Sequence, residues 1–150
     1  MLFFLVLLSP DTGGKMNSAA NPDSSGPDLR QLQKRIGYAF QNDNLLLEAV
    51  THSTYAYELR QSDCLDNERL EFLGDAVLDL VISHLLYRNN SRLSEGQMTK
   101  IRALVVCEPT LSKAAEALNL GSYLRLGRGE DATGGRRKPS NLPNAVEAII

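Results

Sequence analysis

Apolar residues recur at helical spacing along most of the chain. Leu29, Leu32 and Ile36 form a stripe that Asp28 is placed to cap and Gly37 to stop. Leu45, Leu46, Ala49 and Val50 predict a second helix opened by Asn42 or Asp43. A long third helix is predicted from about Asp66 to Tyr87. In LSEGQMTKIRALVV, Met98, Ile101 and Val105 share a side, and Ser94 with Gln97 matches a capping box. Pro109 then punctuates, and Thr110 is expected to cap TLSKAAEALNL, which Gly121 stops. Gly121 to Pro139 is glycine-rich and basic and reads as an ordered but irregular loop. Ser140 begins a last helix, SNLPNAVEAII. No stretch alternates with period two long enough to make a strand, so the pattern predicts an all-α fold.

The ends of the chain depart from this pattern. Leu2 to Leu8 is an apolar run far shorter than the roughly 20 residues a bilayer span needs. No Lys or Arg precedes it, as a secretory signal would require, and Met16 follows. An over-extended start or a disordered leader is expected there. Asn17 to Pro27 is small, polar and proline-bearing, a linker composition. The expected division is therefore a disordered leader and linker over 1–27 and one folded domain over 28–150. The last apolar stripe is still running at Ile150, which suggests a domain cut short at its C-terminal end.

Composition adds constraints rather than an answer. With 43% hydrophobic and 23% charged residues and no Trp, the 150-residue chain is an ordinary globular one with an aliphatic core. A net charge of −2 gives no general attraction for nucleic acid, so any such role must rest on a local site, on metal ions or on another domain. Cys64 and Cys107 form no CxxC pair and no Cys/His cluster, which excludes an ordinary zinc site. Free thiols and a cytoplasmic location are expected.

The chemistry concentrates in the long helix. At about 100° per residue, Glu68, Glu71, Asp75 and Asp79 fall within roughly an 80° arc. Leu70, Leu73, Val77, Leu80 and Val81 lie opposite. Like charges at this spacing repel by a few tenths of a kcal/mol per pair. A divalent cation would relieve that repulsion, and hard carboxylate oxygens suit Mg²⁺ or Mn²⁺; a merely acidic surface is the alternative. Gly74 costs about 1 kcal/mol in a helix relative to Ala, which suggests a close approach by another backbone or a ligand. Phe72 lies beside the acidic stripe, away from the leucine side. Asp79, about 6 Å beyond Asp75, reads as solvated.

NERLEFLGDAVLDLV, at Asn67 to Val81, resembles the signature helix of bacterial ribonuclease III. THSTYAYE, SEGQMTKIRALVV, LGSYLRLGRGE and GGRRKPSNLPNAVEAII resemble further segments of that family in the same order, from about Leu29 to Ile150. The resemblance implies a ribonuclease III catalytic (endonuclease) domain, without the double-stranded RNA-binding domain that usually follows. It implies a symmetric homodimer that hydrolyses double-stranded RNA in rRNA and mRNA processing, leaving 5′-phosphate and 3′-hydroxyl ends. Mg²⁺ is the implied cofactor, with Mn²⁺ as a substitute; no membrane and no small-molecule substrate is implied. By resemblance Glu71, Asp75, Asn144 and Glu147 are the metal positions, with Asp75 and Glu147 catalytic. Glu68, Glu95 and Glu130 match positions that support the site or its RNA contacts. Phe72 matches an aromatic that packs into the partner subunit. Asn144 departs from the family, where Asp is common, and its neutral side chain should weaken metal binding. That departure also admits a catalytically impaired RNA-binding or dimerisation module. His52 is expected to be locally hydrogen-bonded and His84 to be a core or interface residue. Arg136, Arg137 and Lys138, like Lys100 and Arg102, are either phosphate contacts or solvated charges.

Overall fold

The computed structural model describes residues 27–59, 64–89 and 91–150. The leader and linker expected over 1–27 lie, but for Pro27, outside the described residues. The first helix, α1 (Leu29–Ile36), starts where Asp28 accepts from the N–H groups of Arg30 and Gln31, both at 3.1 Å. Those donors have no partner inside the helix, so the cap supplies one. Gly37 ends α1 in the left-handed region (φ +75), a conformation that costs glycine nothing. Asn42 caps α2 (Asp43–Ala49) in the same way through Asn44 N–H. Leu46, Ala49 and Val50 are buried as expected, whereas Leu45 is 46% exposed.

α3 (Ser53–Leu59) covers the THSTYAYE segment, to which the periodicity assigned no helix. It is followed by α4 (Glu68–Asn89) and α5 (Glu95–Val105), the latter opened by the expected Ser94–Gln97 capping box. The next helix, α6 (Glu108–Ala117), starts earlier than expected. Pro109 sits inside its first turn, where a missing N–H is harmless, instead of preceding it. Thr110 is not the cap: its Oγ1 donates to the Leu104 carbonyl at 2.8 Å. The left-handed stop expected at Gly121 is taken by Asn119 (φ 53), and a 3-10 turn, Leu120–Tyr123, follows. The supposed irregular loop also contains a short helix, α7 (Arg128–Ala132), and a 3-10 turn, Gly135–Arg137. The chain closes with α8 (Asn141–Ile149).

The fold is all-α as expected. Among the described residues there is no strand, and one isolated parallel bridge pairs Thr51 with Arg125. Arg125 secures that junction: its guanidinium donates to Thr51 Oγ1 and Tyr55 Oη and stacks 4.3 Å from the Tyr55 ring centre. Leu32, Leu46, Val50, Ala115, Leu120, Leu142 and Ala145 form the heart of the core. Each fully buried leucine there contributes about 1.5–3 kcal/mol. α8 lies at the centre, packed against α4, α6 and α2.

The long helix sits differently from expectation. Gly74 alone among the described residues of α4 is buried. Leu73 (59%) and Leu80 (69%), placed on the inner side by periodicity, are exposed. The half-buried Glu71, Leu78, Val81, Ile82 and Leu85 lie with Gly74 in an arc of roughly 100°. The inner face of α4 therefore borders the acidic stripe, and Leu73 and Leu80 turn outward.

Candidate functional site

The acidic stripe meets the last helix where α4 crosses α8. A Cβ added to Gly74 would overlap the backbone carbonyl of Glu147. This is the close backbone approach that a mid-helix glycine suggested. Glu71 and Asp75 flank Gly74 on α4, and Asn144 and Glu147 are one turn apart on α8. The backbone contact sets these four side chains against one another.

Electrostatics record the juxtaposition. Burial, then the charges of Asp75, Glu71 and Glu108, push the Glu147 carboxyl up to about 7. Burial and then Glu68 raise Glu71, Asn144 lowers it through a side-chain hydrogen bond, and Asp75 raises it further. None of the ion pairs among the described residues reaches Glu71, Asp75 or Glu147. Among the described residues no three His, Cys, Asp or Glu side chains are gathered as a set that could hold a metal ion. The repulsion that adds to burial in raising Glu71 and Glu147 also opposes drawing the acidic oxygens together while no cation offsets it.

Local anchors position α4. Asn67 is buried; its N–H donates to the Thr51 carbonyl at 2.9 Å and its Nδ2 to the Ala49 carbonyl at 3.4 Å. Its carbonyl accepts from Glu71 N–H at 2.8 Å, so α4 begins pinned to the end of α2. Asp66 Oδ1 accepts from Glu68 N–H at 3.2 Å. Glu68 is exposed in the first turn, where the helix dipole favours a carboxylate.

A family model described as Ribonuclease-III-like matches residues 42–150. The chain belongs to the ribonuclease III family. Ribonuclease 3 of Natranaerobius thermophilus is 56% identical over 124 residues, which cover 82% of this chain and 53% of that protein. Ribonuclease 3 of Oceanobacillus iheyensis is 54% identical over 123 residues, covering 82% of this chain and 54% of that one. The chain thus spans about half the length of the curated relatives it matches. Among solved structures it is similar to the nuclease domain of ribonuclease III from Campylobacter jejuni. The TM-score is 0.73 at 40% identity, covering 81% of each chain, and that structure is described as flexible in a region involved in dimer formation.

The remaining residues singled out by resemblance to ribonuclease III lie apart from the four. Glu95 begins α5, accepts from Thr99 Oγ1 at 2.9 Å, and lines a cleft of about 220 Å³ with Ser83, Tyr87 and Arg102. Ser83 is twelve residues beyond Glu71, about 18 Å along the helix, so one chain does not bring Glu95 to the cluster. Glu130 Oε1 accepts from Asn141 Nδ2 and Lys138 Nζ, and those bonds, Asn141 first, lower its carboxyl. Phe72 is 83% exposed, beside Leu73 and Leu80.

Asp79 is not simply solvated: Arg102 Nε lies 3.7 Å from its Oδ1. Arg136, a possible phosphate contact, instead forks onto Asp131 and donates to the Gly121 and Leu124 carbonyls. His52 Nδ1 meets Thr54 Oγ1 at 2.9 Å, the local bond expected of it. His84 is exposed, so its core reading fails. Cys64 and Cys107 are free thiols. Glu108, which no motif had marked, opens α6 and adds its charge to the site. An acidic residue in a first helical turn is so common that its sequence signal is weak.

Proposed function

We propose that this chain is the nuclease domain of a double-strand-specific endoribonuclease. The observation that carries the reading is the Gly74–Glu147 backbone contact, which sets Glu71 and Asp75 against Asn144 and Glu147. The donor set fits a hard divalent cation: three carboxylates and an amide oxygen, half-buried or exposed, with Glu71 and Glu147 raised so that a positive charge would favour their ionised forms. Glu71, Asp75, Asn144 and Glu147 would hold Mg²⁺, with Mn²⁺ able to replace it. Bound there, the ion would offset the charge of the scissile phosphate and ease attack by water.

The chain's own groups orient that chemistry. Asn144 steadies the Glu71 carboxylate through its amide. Burial and its acidic neighbours let Glu147 keep a proton up to about pH 7; a cation held at the site would favour its ionised form, and Asp75 and Glu147 would then both serve as carboxylate ligands. Attack by water yields 5′-phosphate and 3′-hydroxyl ends. The exposed Phe72, Leu73 and Leu80 supply an apolar face for a second copy of the chain, giving a homodimer with a site for each strand. The substrates are duplex RNAs such as rRNA and mRNA precursors, read by shape and phosphates. Free thiols support a cytoplasmic setting, and no helix among the described residues is long and apolar enough to cross a membrane.

Asn144 favours a second reading, a catalytically impaired module that binds duplex RNA or dimerises. Incubating the full chain with duplex RNA and Mg²⁺, followed by end-group analysis, separates the two. Cleavage to the stated ends is expected; binding without cleavage would leave the second reading.

A further inference from the structure

α8 carries Asn144 and Glu147, yet Ser140 gives its first turn no side-chain cap. Asn141, the first residue of α8, takes over that anchoring. It is 5% exposed, and its Nδ2 donates to Glu130 Oε1 at 2.8 Å and to the Gly135 carbonyl at 3.0 Å. The same Glu130 oxygen accepts from Lys138 Nζ at 3.1 Å, and the Glu130 side chain is 14% exposed. A Cβ on Gly135 would meet Glu130 Cγ and its carbonyl oxygen, both at 2.7 Å, so the glycine leaves room for the carboxylate stem. One carboxylate on α7 thus closes a ring through the 3-10 turn to the start of α8.

We propose that Glu130 is a positioning residue, which clamps Asn141 and so fixes the start and rotation of α8 that present Asn144 and Glu147 to Glu71 and Asp75. The proposal rests on the metal-dependent reading of that site. Asn141, Asn144 and Glu147 follow one another about 4.5 Å along the axis and about 60° around it. A turn of α8 at Asn141 therefore carries directly to both. A direct RNA contact is disfavoured, because the Glu130 carboxylate is already occupied and would repel phosphate.

The test compares Glu130→Ala and Glu130→Gln in the full chain; Gln keeps an oxygen for Asn141 and loses the Lys138 ion pair. Mn²⁺ binding is read from the spectrum of the free ion, and amide exchange of residues 141–147 is followed without metal. Glu130→Ala should weaken Mn²⁺ binding about tenfold and Glu130→Gln by less than about threefold, as for groups supporting a metal ligand from behind. Exchange in α8 should accelerate in the Ala variant alone. Cleavage should lose kcat with KM for duplex RNA unchanged. Unchanged Mn²⁺ affinity and exchange in Glu130→Ala would overturn the proposal, as would an effect on KM alone or equal damage from Gln. If Glu130→Ala does not fold, Asn141→Ala breaks the same clamp from its other side and carries the same expectations. A wild-type chain that binds no Mn²⁺ would sink the functional reading, while the exchange comparison would still decide the clamp.

Discussion

The carbonyl oxygen of Glu147 occupies the space in which a side chain on Gly74 would begin. Backbone, unlike a flexible side chain, cannot rotate out of the way. Gly74→Ala would gain about 1 kcal/mol of helix propensity. The overlap should cost more than that, since overpacking alone costs about 1–3 kcal/mol even where side chains can move. At about 2–4 °C per kcal/mol for a domain of this size, thermal melts should show a fall of several degrees and a reduced response to Mg²⁺. A higher melting temperature would contradict this packing.

The contact also makes a pH prediction. Glu147 is raised to about 7 in the folded chain. Between the ordinary carboxylate range and pH 7 the fold keeps a proton that the unfolded chain has released. Metal-free stability should therefore fall as pH rises through that window. Urea unfolding from about pH 5 to pH 8 should show this slope in EDTA and a flatter one in Mg²⁺, where the cation replaces the proton.

The fold was legible in the sequence where its signals were local. Asp28 and Gly37 bound α1 through their own backbone neighbours, and Ser94 and Gln97 close a box within four residues. The start of α6 misled because Pro109 breaks a helix interior but fits a first turn. The face of α4 misled for a longer-range reason. Its leucines mark an apolar side, but Gly74 lets α8 approach closest beside the acids. Glu71, Asp75, Asn144 and Glu147 were readable as a motif, whereas the roles of Asn67 and Asn141 depend on partners distant in the chain.

Asn144→Asp should strengthen Mg²⁺ binding. It adds a fourth negative charge and removes the amide that lowers Glu71. The metal-free protein should in turn lose stability at neutral pH, because repulsion within the cluster grows. Calorimetric titration and thermal melts with and without Mg²⁺ check both halves.

The exposed face of α4 gives an assembly prediction. Phe72→Ser should weaken self-association by about 2 kcal/mol, roughly 30-fold, if this ring is an interface anchor. Its 83% exposure means that folding of the single chain should hardly change. Sedimentation equilibrium reads the first and denaturant unfolding the second.

In the proposed site α4 and α8 together hold one divalent cation. Anomalous scattering from Mn²⁺-soaked crystals locates such an ion directly. The expected result is a peak ligated by Glu71, Asp75, Asn144 and Glu147. A peak elsewhere, or none at that crossing, would contradict it.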